Sequence, residues 1–376
     1  MICYHTIQKK TLAGGFDMRK IIALFLALVM GLTMFACACA DEPRTERVGL
    51  LKMLNQDEKE ALSCIKAVII IADIVAAQGY SENLLPNVSG SIDTAIRFEP
   101  EYFDTLDTLI AALQSGRVDI TPLYSTVAAY VCANDDELVQ TTVFKPLDEN
   151  ADMFVRLAYT GLLCNDFSFM MREGNEALRD EFNGAIAAIK QDGTLQKLVE
   201  EHIDAAIAGK DIARVEMPVF DGAEVIRVAV TGDLPPMDYT AADDTPAGFN
   251  TALLAEISRR IGKNIELVPA NNLSRSVMLG NNQVDVVFWT RTNRESSRIA
   301  AMPEDEKESY MQNFLDVCTE EERTAVENGR KLIRFSDYGK WDMPDETIIT
   351  EPYFSDMLVP VAKKTFVEAV SGAAGN

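Results

Sequence analysis

The chain has 376 residues, 48% of them hydrophobic and 25% charged, and carries a formal net charge of −23. That is the composition of a folded protein long enough for two cores, and it excludes a disordered chain. The acidic balance excludes nucleic-acid binding and docking on anionic lipid through a basic face.

In chain order, Met18-Arg19-Lys20 precedes an apolar run, Ile21–Met34, that small residues close. The run is short for a membrane span and right for a secretory signal, with residues 1–17 an upstream extension and Met18 the start. Its end, Met34-Phe35-Ala36-Cys37, resembles a bacterial lipobox in which Cys37 is lipidated, although Met34 stands where Leu is usual. Ala38-Cys39-Ala40 also fits an ordinary signal-peptidase site, so lipid anchoring on the outer face is favoured over soluble or periplasmic export. An acidic tether, Asp41–Glu46, leads to a predicted strand at Val48–Met53 and a mostly apolar helix at Glu58–Ala77. A loop follows at Asn83–Ser91, rich in Pro, Asn, Gly and Ser. Leu106, Leu109, Ile110 and Leu113 recur at helical spacing, so Thr105–Ser115 reads as a helix closed by Gly116, with a strand at Val118–Leu123. This is a β-α-β pattern and predicts a parallel sheet.

Farther on, Phe167, Phe169 and Met171 alternate on one face of a strand. A helix through Leu178, Phe182, Ile186 and Ile189 follows, Gly193 closes it, and Thr194 opens another helix. After a Gly- and Pro-containing linker at 206–224 comes Ile226–Gly262. There a β-branched strand enters a Gly-Asp turn, the diproline Pro235-Pro236 stiffens the loop, and Gly248 precedes a helix with Phe249, Leu253, Ile257 and Ile261 on one stripe. Stiff loops at the carboxyl ends of α/β strands are where small ligands are held. The form of Ala112–Asp119 recurs at Val277–Asp285: a helix closes in Gly or Asn and a strand begins at Val-Asp. Asn282 takes the left-handed cap that Gly116 takes, and Asp119 and Asp285 read as capping or turn residues. Residues 296–346 are acidic and amphipathic, a solvated helical excursion.

Two of these blocks carry a resemblance. Ile226–Gly262 resembles the opening of the bacterial extracellular solute-binding proteins that serve amino-acid ABC transporters, which reads strand, Gly-x-x-Pro-Pro-aromatic, polar turn, Gly-Phe-Asp, helix. Phe167–Ile203 resembles that family's end, and Thr350-Glu351-Pro352-Tyr353-Phe354 its step into the second lobe. The family's end thus precedes its beginning. The resemblance implies a two-lobed α/β fold of the Venus-flytrap kind, each lobe a parallel-type sheet flanked by helices. Residues 46–150 would form the second lobe, and 151–205 with 225–376 the first. One of each piece completes one bilobal protein, which favours circular permutation over two truncated tandem copies, each of which would expose a bare apolar face.

The resemblance also implies a ligand between the lobes, an ABC permease as partner, and an Arg that forks the ligand's carboxylate in two parallel charge-assisted bonds. Spacing favours Arg294 for that Arg, and Thr290-Arg291 competes. Trp289 at the strand end closes on an apolar or ring-bearing ligand or joins the core. The diproline loop offers Asp233, Met237 and Tyr239, with Met237 where the family has an aromatic. Tyr124, followed by Ser125, stands where the family keeps an Asp for the ligand's amine, which draws the expectation from an α-amino acid toward a carboxylate, peptide-like or ring compound. With His5 and His202 as the only histidines, and His5 upstream of Met18, no metal, cofactor or Ser-His-Asp triad is expected. His202 reads as a surface group complementing a helix C-terminus. The expectation is a monomeric binding protein and not an enzyme; a surface sensor with a decayed pocket and a cyclohexadienyl-dehydratase-like enzyme are the alternatives.

Overall fold

The computed structural model describes residues 44–52, 96–141, 164–212, 214–270, 274–293 and 346–373, together with residues 303 and 309. The signal segment with Cys37, the helix predicted at Glu58–Ala77, Arg294 and nearly all of the 296–346 excursion lie outside them. Strands β1 (Arg44–Leu51) and β2 (Ile96–Phe103) pair in parallel, Val48 opposite Pro100. Helix α1 (Leu106–Ser115) begins where Thr105 Oγ1 accepts from the Thr108 N–H and ends at Gly116, φ 72°. The next strand, β3 (Ile120–Tyr124), starts two residues later than the pattern predicts. The cause is local: the Arg117 and Val118 N–H groups still bond to the Ala112 carbonyl, so the helix cap occupies the residues that looked extended. Helix α2 (Ser125–Asn134) and the short β4 (Leu138–Gln140) follow.

The second half opens with β5 (Cys164–Arg172) and α3 (Glu176–Gln191). Helix α4 (Thr194–Leu198) runs on through a π-turn at Val199–Asp204 to Ile207. His202, expected at the surface, is buried there (5% exposed), because it continues the stripe of Leu198 and Val199 that packs into the core. Strand β6 (Val225–Val230) leads into a miniature three-stranded sheet, β7 (Asp233–Leu234), β8 (Asp238–Thr240) and β9 (Pro246–Ala247). Helix α5 (Phe249–Ile261) then starts against the diproline loop, Phe249 N–H to Pro236 O and Asn250 N–H to Met237 O. Gly248 is required at this contact: its φ is 101°, and a β-carbon would stand 2.7 Å from the Met237 carbonyl oxygen. Then come β10 (Asn264–Pro269), α6 (Ser274–Gly280), β11 (Val286–Asn293), β12 (Thr347–Ile349), β13 (Phe354–Lys363) and α7 (Lys364–Ala373).

Among the described residues these strands form one sheet of order β10-β6-β11-β5-β13-β3-β1-β2, with β12 on β5 and β4 on β13. Its two ends are alike. In each, three parallel strands (β10-β6-β11 and β2-β1-β3) meet an antiparallel neighbour, β5 or β13. Strand β13 belongs to both, pairing with β5 over Phe354–Met357 and with β3 over Leu358–Ala362. We call the β10 end lobe 1 and the β2 end lobe 2. Phe169 of β5 and Val228 of β6 lie in one sheet, with β11 between them. A single core runs through both lobes, from Leu109 and Val127 to Ile186 and Leu253. A smaller apolar patch with Met170, Ala229 and Val287 lies on the other face of lobe 1, with Leu279 of α6.

Candidate functional site

The site is built where strand ends from the two lobes converge. At the end of β6 the chain turns through Thr231-Gly232, and Asp238 returns beneath it. Asp238 Oδ2 accepts from the Thr231 N–H (2.7 Å), the Thr231 hydroxyl (2.9 Å) and the Gly232 N–H (2.9 Å). Burial still holds that carboxyl above the ordinary carboxylate range. Asp233 faces Tyr239 across the β7-β8 pair and is half-buried. Its carboxyl is pushed up to about 6, first by burial, then by the charge of Asp238, with a further contribution from Asp107 of lobe 2 helix α1. The Tyr239 hydroxyl is raised by burial and by Tyr130 of α2. Met237 is fully buried in the core.

Strand β11 is irregular midway along its length. Its register against β5 shifts between Val287 and Thr290, and Trp289 sits at φ 58°, a left-handed backbone rare for a bulky residue. The surroundings hold it there. The Trp289 N–H donates to the Tyr353 hydroxyl at 3.1 Å, and the buried Arg275 Nη1 donates to the carbonyls of Phe288 and Trp289 at 3.4 and 3.3 Å. The indole stacks on Phe167 with centroids 3.7 Å apart and planes 16° apart. Tyr124 of lobe 2 meets both rings edge-on, 4.9 Å from Phe167 and 6.1 Å from Trp289. Thr290 and Arg291 follow, both buried, with Thr290 opposite Ser168 and Arg291 opposite Phe167.

Ser125 is the first residue of α2. Its hydroxyl donates to Asp356 Oδ1 at 2.5 Å while the Thr126 N–H donates to Oδ2 at 3.1 Å, so a carboxylate from β13 caps the lobe 2 helix. Burial raises the Asp356 carboxyl against these donors.

Of the residues singled out in the sequence, Tyr124, Trp289, Thr290 and Arg291 come together at the junction, and Asp233 and Tyr239 flank it on the hairpin. Met237 packs into the core and Ser125 turns to Asp356. Asp119 and Asp285 prove to be anchors: each binds the backbone N–H and the guanidinium of an Arg on the neighbouring strand, Arg47 and Arg227 respectively. Sequence reasoning passed over Asp238, Arg275, Tyr353 and Asp356 as site groups. It also passed over Asn250, which is 1% exposed with neither amide atom bonded among the described residues. Asp238 had a local signal, its place between Met237 and Tyr239 in the diproline loop. Asp356 had none, since its partner Ser125 is 231 residues away.

The described residues contain no group of three or more His, Cys, Asp or Glu able to hold a metal, and no helix among them is long and apolar enough to cross a membrane. The Cys132 thiol is free and half-buried, pushed up to about 12 by burial and then by Asp135.

Two α/β lobes on one shared strand, with loops and strand ends of both meeting at the crossing, define a two-lobed binding protein of Venus-flytrap type. The sequence profile of bacterial extracellular solute-binding proteins, family 3, matches residues 72–205 and 226–303, more than half of the chain. The chain belongs to that family. No curated protein matches it. Among solved structures, the zinc-bound ligand-binding component of an ABC-type import system from Staphylococcus aureus is 8% identical with a TM-score of 0.36, covering 88% of this chain and 71% of its own. The alkanesulfonate-binding protein SsuA from Xanthomonas axonopodis pv. citri, bound to MOPS, is 10% identical with a TM-score of 0.32, covering 89% and 73%. The periplasmic VFT2 domain of BvgS from Bordetella pertussis is 13% identical with a TM-score of 0.34, covering 88% and 86%.

Proposed function

We propose that this protein captures a small polar, carboxylate-bearing solute between its lobes and delivers it to an ABC permease, acting as a binder and not as a catalyst. The observation that carries the reading is the convergence at the junction of Arg291 and Thr290 from lobe 1 with Tyr124 from lobe 2, flanked by the half-buried Asp233 and Tyr239. A buried guanidinium is the chemistry that recognises a carboxylate. Arg291 is the residue we assign to it, with Arg294 as the alternative. The sharing of one sheet by β5 and β6 supports a circularly permuted chain, with 46–150 as lobe 2 and 151–205 plus 225–376 as lobe 1. Export with lipidation at Cys37 and a monomeric state belong to the same proposal.

The test is a melting screen of the purified protein against amino acids, dipeptides and organic acids, followed by titration of Arg291→Ala and Arg294→Ala. A hit should lose at least about tenfold in affinity in one of the two variants, the loss expected for a charged hydrogen bond. Parent-like binding by both variants would remove the carboxylate fork. A surface sensor whose pocket its own side chains have closed is the second reading, favoured by the aromatic packing at the junction. It predicts no shift with any metabolite.

A further inference from the structure

We infer that Trp289 is an internal latch: its indole holds the two lobes together at rest, and a ligand enters by displacing it. This deepens the solute-binding reading and rests on its two-lobed cleft.

Three observations carry it. The first is position. The rings of Phe167, Trp289 and Tyr124 gather where β13 passes from β5 to β3, the place at which one lobe must shear against the other. The second is that Trp289 is built into place. Its left-handed backbone is pinned on both sides, the N–H by Tyr353 and the carbonyl by Arg275, which fixes the indole against Phe167. Strain retained because neighbours over-determine it is characteristic of switch and clamp residues. The third is the lobe crossing itself. Tyr124, the last residue of the lobe 2 strand β3, is fully buried with its ring edge against Trp289, which is 2% exposed. Edge-to-face packing is a favourable aromatic arrangement, and here it bridges the lobes.

In a two-lobed binder, closure is favoured by whatever touches both lobes. Here the chain's own side chains do so. A ligand must therefore replace those contacts, and its apparent affinity falls by the fraction of molecules in which the latch is open. The indole N–H is buried and unbonded among the described residues, so the latch holds by ring packing. Packing is more readily exchanged for a ligand than a buried hydrogen bond would be.

The chain has two tryptophans, and Trp341→Phe leaves Trp289 as the only one. In that background, without added solute, acrylamide should quench the emission several-fold less than it quenches N-acetyltryptophanamide. Tyr124→Ala should raise the quenching at least twofold and enlarge the radius of gyration in small-angle scattering. Trp289→Leu, read by scattering alone, should enlarge it as well, and serves if Tyr124→Ala loses its far-UV dichroism. Quenching of the parent equal to that of the free probe overturns the latch, as does an unchanged radius in the folded variants. Displacement is read separately: a solute from the melting screen should shift Trp289→Leu more than the parent, and equal shifts overturn it. No shift in either protein removes the solute-binding reading, while the quenching still decides the latch.

Discussion

The two lobes share their base and differ at their top. At the base the same device appears twice. Arg227 and Asp285 in lobe 1, and Arg47 and Asp119 in lobe 2, tie the start of the central strand to the start of the third, and in each the Asp N–H returns a bond to the Arg carbonyl at 2.8 Å. Arg172, at the end of β5, bonds the Leu279 carbonyl near the end of α6, and Lys363, at the end of β13, bonds the Gln114 carbonyl near the end of α1. At the top this likeness stops. Strand β11 carries a bulge that presents Trp289, whereas β3 passes straight from Tyr124 into α2, whose first turn Asp356 caps. One scaffold can therefore be used twice with its fixed parts repeated and its variable parts confined to the strand ends that face the partner lobe.

That comparison can be broken at its base. Asp285 serves two arginines, Arg227 and Arg172, while Asp119 serves Arg47, which is half-exposed. Asp285→Ala should cost about 2 to 3 kcal/mol and Asp119→Ala about 1 to 2 kcal/mol, since the first loses two guanidinium partners and the second one, and each variant strands a backbone N–H. Urea unfolding of both variants checks this, and equal losses would deny the difference between the lobes. A smaller effect is expected at paired central-strand positions. A β-carbon on Gly49 would overlap the Leu109 side chain of α1 and stand 3.1 Å from Val118, whereas lobe 1 accommodates Ala229 at the matching place. Gly49→Ala should destabilise by about 1 to 2 kcal/mol through overpacking, and Ala229→Gly by about 1 kcal/mol through backbone entropy. A neutral Gly49→Ala would mean that the two helix-to-strand contacts are alike after all.

The smallest effects concern pH and belong to lobe 1. Asp233 titrates at about 6 when folded, above its ordinary range, so the folded state binds its proton more tightly than the unfolded chain. Its contribution is lost as pH rises from about 4 through 6, given an ordinary Asp value of about 3.9. Asp233→Asn should therefore be more stable than the parent at pH 7 and indistinguishable from it below about pH 4. His202 behaves oppositely. Burial lowers its pKa against the pull of Glu201, so the unfolded chain binds the proton more readily and stability falls as pH drops below about 6.5. His202→Gln should flatten that slope. Urea midpoints between pH 4 and pH 8 measure both.

What the sequence displayed and what it concealed follow the same division. The repeated Val-Asp pattern at 118–119 and 284–285 was visible because helix cap, turn and strand start are local, and both halves answer to them. Even there the anchoring role of the two aspartates was hidden, since Arg47 and Arg227 lie 72 and 58 residues away. The stiff diproline loop and the helix that opens after Gly248 were legible from residue type alone, although the close contact that demands a glycine there was not. The stack of Trp289 on Phe167 was not, because it depends on β5 inserting beside β11, a pairing that runs against the order of the chain. His202 misled for another reason. Its place near a helix C-terminus suggested a surface charge, whereas it stands three residues after Val199 and four after Leu198, on the stripe that packs into the core.

Strand β13 sets a timetable for folding. It supplies the antiparallel partner of β3 in lobe 2 and of β5 in lobe 1, and it is the last strand among the described residues. As the protein is synthesised from its amino end, β3 must wait for residues more than two hundred positions downstream before that edge is covered. Neither lobe can complete its sheet while the chain is still emerging, so both are expected to close together, late, and with the slow kinetics of distant pairing.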